Sequence, residues 1–203
     1  MAEKNTRILA GKTLFRHTID AALESGLFEK IIVSSESRGV LNLVPQGIHR
    51  FTRKEELSSP TASTYQVCKE VLQRENILPD SFCLLIPTSP LRTGKDLSNA
   101  RRQFKGGCLM SVSLLEHLPQ HALKIHNGRV IPREKISVDV KRQETAKMYR
   151  HDGYLIMCNT QSFFNVNDFY EMSITPWYTP PERSLDINTM DDLRLARLKM
   201  GEK

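Results

Sequence analysis

Cysteine is scarce and unpatterned in this sequence. Cys68, Cys83, Cys108 and Cys158 form no C-x-x-C pair, and no histidine stands at ligand spacing from them. A structural zinc site and a disulfide framework therefore lack support. Reduced core thiols are the expectation, since free cysteine is among the most buried residue types. Long apolar runs are also absent. No stretch approaches the roughly 18 residues of a membrane helix, and the opening Met-Ala-Glu-Lys-Asn-Thr-Arg lacks the apolar core of a signal peptide. A cytoplasmic protein is expected. Neither G-x-x-x-x-G-K-S/T nor G-x-G-x-x-G occurs, which removes the usual sequence arguments for an ATPase or a dinucleotide enzyme. No histidine pairs with a nucleophile in a triad-like pattern, so acyl-enzyme chemistry has little support.

What is present is ordinary globular material: 203 residues, 39% hydrophobic and 26% charged, enough for a continuous core and read as one domain over 1–203. Twenty-nine Lys and Arg against 23 Asp and Glu leave a net charge of +6, which favours anionic partners such as phosphates. The cations are scattered rather than clustered, so a plain basic surface is an equal reading. A nucleic-acid role would rest on that charge alone.

The periodicity predicts a helix over Thr13 to Glu24 stopped by Gly26, then a β-branched strand from Lys30 to Ser35. A helix from Ala62 to Glu75 precedes an apolar strand over Phe82–Ile86. A helix from Asp96 to Phe104, strands at Cys108–Val112 and Tyr154–Met157, a strand-like Ser184–Asn188 and a helix from Met190 to Met200 follow. Short apolar strands alternating with helices imply a three-layer α/β architecture with a mostly parallel sheet. Residues 114–149 read as an irregular excursion with a hairpin turn at Asn127-Gly128.

Several segments carry candidate chemistry. Pro87-Thr88-Ser89-Pro90-Leu91-Arg92 follows an apolar strand, where open α/β sheets bind ligands, although a rigid turn with a surface arginine fits equally. Ser63 and Thr64 open a helix and suit either an anion or a plain N-cap. Lys141 to Glu144 and Tyr149 to Gly153 bring cations, an amide and a carboxylate to a strand entrance. A solvated charge run is the ordinary alternative there. Asp186 and Asn188, two apart on a strand, would share a face toward one hard cation.

In this order the segments resemble the cytidylyltransferases that make CMP-activated acidic sugars, the acylneuraminate (CMP-sialic acid) synthetases being the best-known members. Lys4-Asn5 with Leu9-Ala10-Gly11-Lys12-Thr13-Leu14 is similar to K-N-x-x-x-L-A-G-K-P-L, and Ile32 to Ser37 to V-V-S-T-D-S. Arg53-x-x-Glu56-Leu57, Thr61 to Thr64, Pro87 to Arg92, Arg142-Gln143-Glu144, Tyr149 with Asp152-Gly153, and Leu185 to Leu193 continue the series. The resemblance implies a Rossmann-like nucleotidyltransferase fold, CTP and an acidic sugar as substrates, Mg²⁺, and a homodimer built through the excursion. The sugar hydroxyl would attack the α-phosphorus of CTP and pyrophosphate would leave.

On the same resemblance Lys4, Asn5 and Lys12 belong near the phosphates, and Arg53, Ser63 and Thr64 near the cytidine. Ser89, Arg92, Arg142, Gln143, Tyr149 and Asp152 belong near the sugar, and Asp186 and Asn188 on the metal, with Lys12, Arg142 and Asp186 in the catalytic role. The pattern departs from the family at Ile86 for Gln, Pro60 for Asp, Asp152 for Asn and Asn188 for the second metal Asp. The family's first strand and glycine-rich loop, A-R-G-G-S-K-x-I-P, would precede Met1. The second expectation is accordingly an inactive homologue serving as a binding or dimerisation partner.

Overall fold

The computed structural model describes residues 4–59, 61–76, 78–117, 119, 122–132 and 147–202. A short β1 (Ile8–Leu9) and β2 (Lys12–Thr13) lead into α1 (Leu14–Ser25), whose Leu14, Phe15, Ile19 and Ala22 are buried along one stripe. Gly26 closes it in the left-handed region at φ 64°, where a glycine carries no Cβ penalty. β3 (Ile32–Ser35), α2 (Arg38–Asn42) and β4 (His49–Thr52) follow. Next come α3 (Thr64–Arg74), β5 (Ser81–Leu84), α4 (Gly94–Gln103) and β6 (Cys108–Leu114). α4 starts two residues before its expected Asp96 because Thr93 and Asp96 form a capping box.

After the hairpin β7 (Leu123–His126) and β8 (Arg129–Pro132), the chain continues through β9 (Tyr149–Asn159), α5 (Thr160–Phe164), β10 (Ile174–Tyr178) and α6 (Met190–Lys199). The hairpin turns at Asn127 and Gly128, with φ of 50° and 70°, the left-handed pair that a tight two-residue turn needs.

The main sheet runs β10-β6-β9-β5, and β3 and β4 form a separate parallel pair. Within the main sheet β10 is parallel to β6, but β9 is antiparallel to both β6 and β5. The mostly parallel sheet expected from the element order is thus corrected to a mixed one. A parallel neighbour requires a crossover. β9 instead comes back beside β6 running the other way. Ser184–Asn188 is also corrected: it pairs with no strand, and Ile187 N–H donates instead to Thr88 O at 2.8 Å.

Side chains alternate across the central strands and fill two cores. Cys108, Met110, Ile156 and Cys158 face α3 through Tyr65, Cys68 and Leu72, joined by Phe163 and Phe169. Leu109, Leu155 and Met157 face α1 and α4 through Ala21, Leu97 and Ala100. Helices therefore cover both faces, as the three-layer reading requires. The four cysteines are free thiols, Cys68, Cys108 and Cys158 buried, and no described helix is long and apolar enough to cross a membrane.

One buried carboxylate joins these layers to the chain's last third. Asp96, 2% exposed, accepts from Thr93 N–H and Oγ1, from the Tyr154 hydroxyl at 2.7 Å, and from Arg183 through Nε at 3.0 Å and Nη2 at 2.8 Å. Burial pushes its pKa up, but the hydrogen bonds from Arg183, Tyr154 and Thr93 outweigh it and hold the carboxyl below its usual range. A depressed folded pKa gives stability that is complete above the ordinary Asp value of about 4 and is lost as pH falls through the folded value. Asp96→Asn is expected to destabilise the fold by about 2–4 kcal/mol at pH 7 in urea unfolding, with the gap to wild type narrowing below about pH 4.

Candidate active site

The turn after β5 is held from inside. Arg92, 4% exposed, donates from Nη2 to Ile86 O at 3.1 Å and Gly153 O at 3.4 Å and from Nη1 to Thr18 Oγ1 at 3.2 Å, with its guanidinium 5.0 Å from the Tyr154 ring centre. Burial pulls its pKa down to about 10, which leaves it charged at neutral pH. Arg92 was expected at the sugar; its donors instead tie the Pro87–Pro90 turn to β9 and α1. Ser89, at 1% exposure, is also buried. Asp152 is a strut: its Oδ1 accepts from Ser111 Oγ at 2.7 Å and Tyr154 N–H at 3.2 Å. These residues shape the turn's outer face rather than form it.

That outer face meets the segment leading into α6. The Ile187–Thr88 bond brings Asp186 and Asn188 to the turn, and Asn188 Nδ2 donates to Asp186 Oδ2 at 2.7 Å. Lys4 Nζ donates to Asn188 Oδ1 at 2.9 Å, across nearly the whole sequence. Asp186 and Asn188 thus meet through the Asn188 amide rather than as two oxygens turned to one cation, and Lys4 joins them.

Mg²⁺ is commonly held by one or two carboxylates together with substrate phosphates. Asp186 fits that role for an ion arriving on a triphosphate. Asn188 does not, because its oxygen is taken by Lys4. Among the described residues no group of three or more metal-ligating side chains forms a cage.

Beside this cluster lies a cavity of about 170 Å³ between the start of α3, β9 and the turn Asp168–Tyr170. Ser63, Thr64, His151, Asp168 and Tyr170 give it a polar side, and Leu84, Ile86, Met110 and Ile156 an apolar one. His151 Nε2 is buried there without a hydrogen-bond partner. Such an orphan costs on the order of 1 kcal/mol or more and calls for an explanation. Burial lowers the His151 pKa; the Asp152 and Asp186 charges oppose this, and the net shift keeps the imidazole neutral at pH 7.

The other sequence candidates divide. Ser63 is an N-cap, accepting from Gln66 N–H in a full capping box, and with Thr64 it also lines the cavity. Lys12 is paired with Asp20 of α1 at 2.6 Å, and Asn5 is exposed beside Lys4 in the chain. Arg53 pairs with Glu36. Tyr149 is exposed and packs edge-on against Tyr178. Arg142 and Gln143 lie outside the described residues. Asp168, Tyr170 and the role of His151 were not found from the sequence, because nothing local links a turn at 168–170 to the start of α3.

The fold is shared with solved structures. CMP:2-keto-3-deoxy-manno-octonic acid synthetase in complex with CTP superposes with a TM-score of 0.71 over 100% of this chain and 93% of that one, at 14% identity. A 4-diphosphocytidyl-2C-methyl-D-erythritol synthase from Anaerococcus prevotii gives 0.65 over 97% and 93%, at 11% identity. This is a nucleotidyltransferase fold.

The cytidylyltransferase family profile matches residues 1–105, and the chain belongs to that family. An N-acylneuraminate cytidylyltransferase of Streptococcus agalactiae is 29% identical over 95% of this chain and 48% of that protein. The chain therefore spans about half the length of such curated relatives. A CMP-N,N'-diacetyllegionaminic acid synthase of Legionella pneumophila is 28% identical over 97% and 89%.

Because Arg92 bonds to backbone oxygens, Arg92→Met is expected to lower unfolding free energy by about 2–4 kcal/mol in urea denaturation. A surface ligand contact would leave stability unchanged.

Proposed function

We propose that the chain transfers CMP from CTP to an acidic sugar of the sialic acid type, releasing pyrophosphate. The convergence of Lys4, Asp186 and Asn188 on the Pro87–Pro90 turn carries this reading: residues far apart in sequence meet where open α/β sheets bind ligands. The Lys4 ammonium would neutralise phosphate charge as pyrophosphate departs. Asp186 would hold Mg²⁺ brought by CTP, and the ion would supply further charge neutralisation there. The protein's own share is positioning, since attack of the sugar hydroxyl on the α-phosphorus needs no covalent enzyme intermediate.

The homodimer belongs to the same reading. Cross-strand pairing places Leu123, Ile125, Val130 and Pro132 on one face of the β7–β8 hairpin, with Ile125 81% and Val130 63% exposed. An isolated hairpin is marginal in water, and a second copy of the chain would cover this apolar face.

Pyrophosphate release from CTP and a panel of acidic sugars tests the activity. Lys4→Ala and Asp186→Ala are each expected to lower kcat/KM by about 10²–10³-fold with unchanged melting temperature, and EDTA to abolish turnover; absence of pyrophosphate with every sugar refutes the reading. For the assembly, Ile125→Asp is expected to convert a dimer to a monomer in sedimentation velocity.

A further inference from the structure

We propose that the space between β3 and β5 is a docking slot for one extended, apolar strand of a partner polypeptide, which pairs with both strands and joins the two sheets into one. Two open edges carry this. Asp80 O accepts from Thr160 N–H beside the β5–β9 ladder, and backbone groups alternate direction along a strand. The N–H and C=O of Ser81 and Cys83 therefore point away from β9. In the β3–β4 pair, Ile31 O and Ser35 O accept from His49 and Arg53 N–H, which turns the backbone of Ile32 and Ser34 away from β4. Among the described residues no hydrogen bond reaches these outward-facing groups.

An unpaired row is ordinary on a polar edge strand, but neither β3 nor β5 has that composition. Ile31-Ile32-Val33 and Phe82-Cys83-Leu84-Leu85-Ile86 are apolar on both faces, the pattern of strands with a neighbour on each side. β4, with exposed Arg50 and Thr52, suits the outer position of its pair. β6 and β9 bury similar sequences, whereas Ile32, Val33 and all of Phe82–Ile86 are only half-buried. Ser34 Oγ is buried without a partner.

The same two helices cover both sheets. α1 packs Phe15 and Ile19 with Val33 and carries Ala21 into the core that takes in Cys83 and Leu85. On the other face α3 packs Cys68 and Leu72 with Phe82 and Leu84, while its Arg74 reaches Thr52 O at 3.2 Å and lies 4.5 Å from the Phe51 ring centre. Free backbone groups on both sides call for a polypeptide strand, and helices on both faces call for one that is apolar throughout. A second copy has no such strand to give: β5, β6 and β9 already pair in their own sheet, and the β7–β8 hairpin would bring Lys124, His126 and Arg129 under the helices.

The test titrates the full chain with the peptide Lys-Lys-Val-Ile-Val-Ile-Val-Lys-Lys, read by calorimetry and by amide hydrogen exchange in NMR spectra. Without peptide, the Ile32, Ser34, Ser81 and Cys83 amides are expected to exchange rapidly. One peptide per chain should slow them by about 10²-fold or more and leave the β7–β8 hairpin unchanged. N-methylation of alternate apolar residues of the peptide removes donors but keeps apolar surface, and should weaken binding by about 10-fold or more. Aspartate at alternate positions should abolish it.

Absence of binding, or equal binding of the N-methylated peptide, overturns the slot. Slow exchange of the four amides in the protein alone also overturns it: independent of concentration, it means that the chain fills the space itself, and increasing with concentration, that a second copy does.

Discussion

Asp96 accepts hydrogen bonds from three distant parts of the chain at once, and the site exists because of it. Its carboxylate accepts from Thr93 N–H and Oγ1 at the start of α4, takes the Tyr154 hydroxyl from β9, and takes two guanidinium bonds from Arg183. The last of these decides where residues 184–188 run, and that segment joins no sheet ladder. From Arg183 the chain passes to Ile187, whose N–H reaches Thr88, and so delivers Asp186 and Asn188 to the turn after β5. A buried carboxylate is tolerable only when its acceptor sites are filled. Here the groups that fill them are also the groups that place the site.

Arg92 is the complementary constraint. It is a buried cation whose donors go to two backbone carbonyls and a hydroxyl, none of them a carboxylate, and the planar fork suits that arrangement where a lysine would not. It fixes the Pro87–Pro90 turn against Gly153, which sits at φ 72° with Ile86 close to where a Cβ would lie. The turn is thus rigid before any ligand arrives, as preorganised charge stabilisation demands. Site groups with half-exposed side chains, Lys4 and Asp186, stand on this framework rather than within it.

The sequence made the helices and their ends legible. Apolar spacing located α1, α3 and α6 to within two residues, because a helix buries one stripe and its period is local. Asn127-Gly128 announced its hairpin for the same reason: the turn's left-handed backbone is a property of those two residues. Sheet direction was not legible, since strands of similar apolar content pair either way and the choice depends on what connects them. The burial of Arg92 was not legible either, because an arginine after a turn reads as surface until its packing is known.

Residue pattern alone therefore determined the α/β layering, the helix boundaries, the hairpin and, through collinear motifs, the family. Tertiary structure alone decided the rest. It made the sheet mixed, turned Arg92 and Asp152 inward, joined Lys4 to Asn188 across nearly the whole chain, and left His151 unpaired opposite Asp168. The physical reason is range. Periodicity and turn chemistry act over a few residues, whereas a site is a set of contacts between segments whose proximity depends on how the entire core packs.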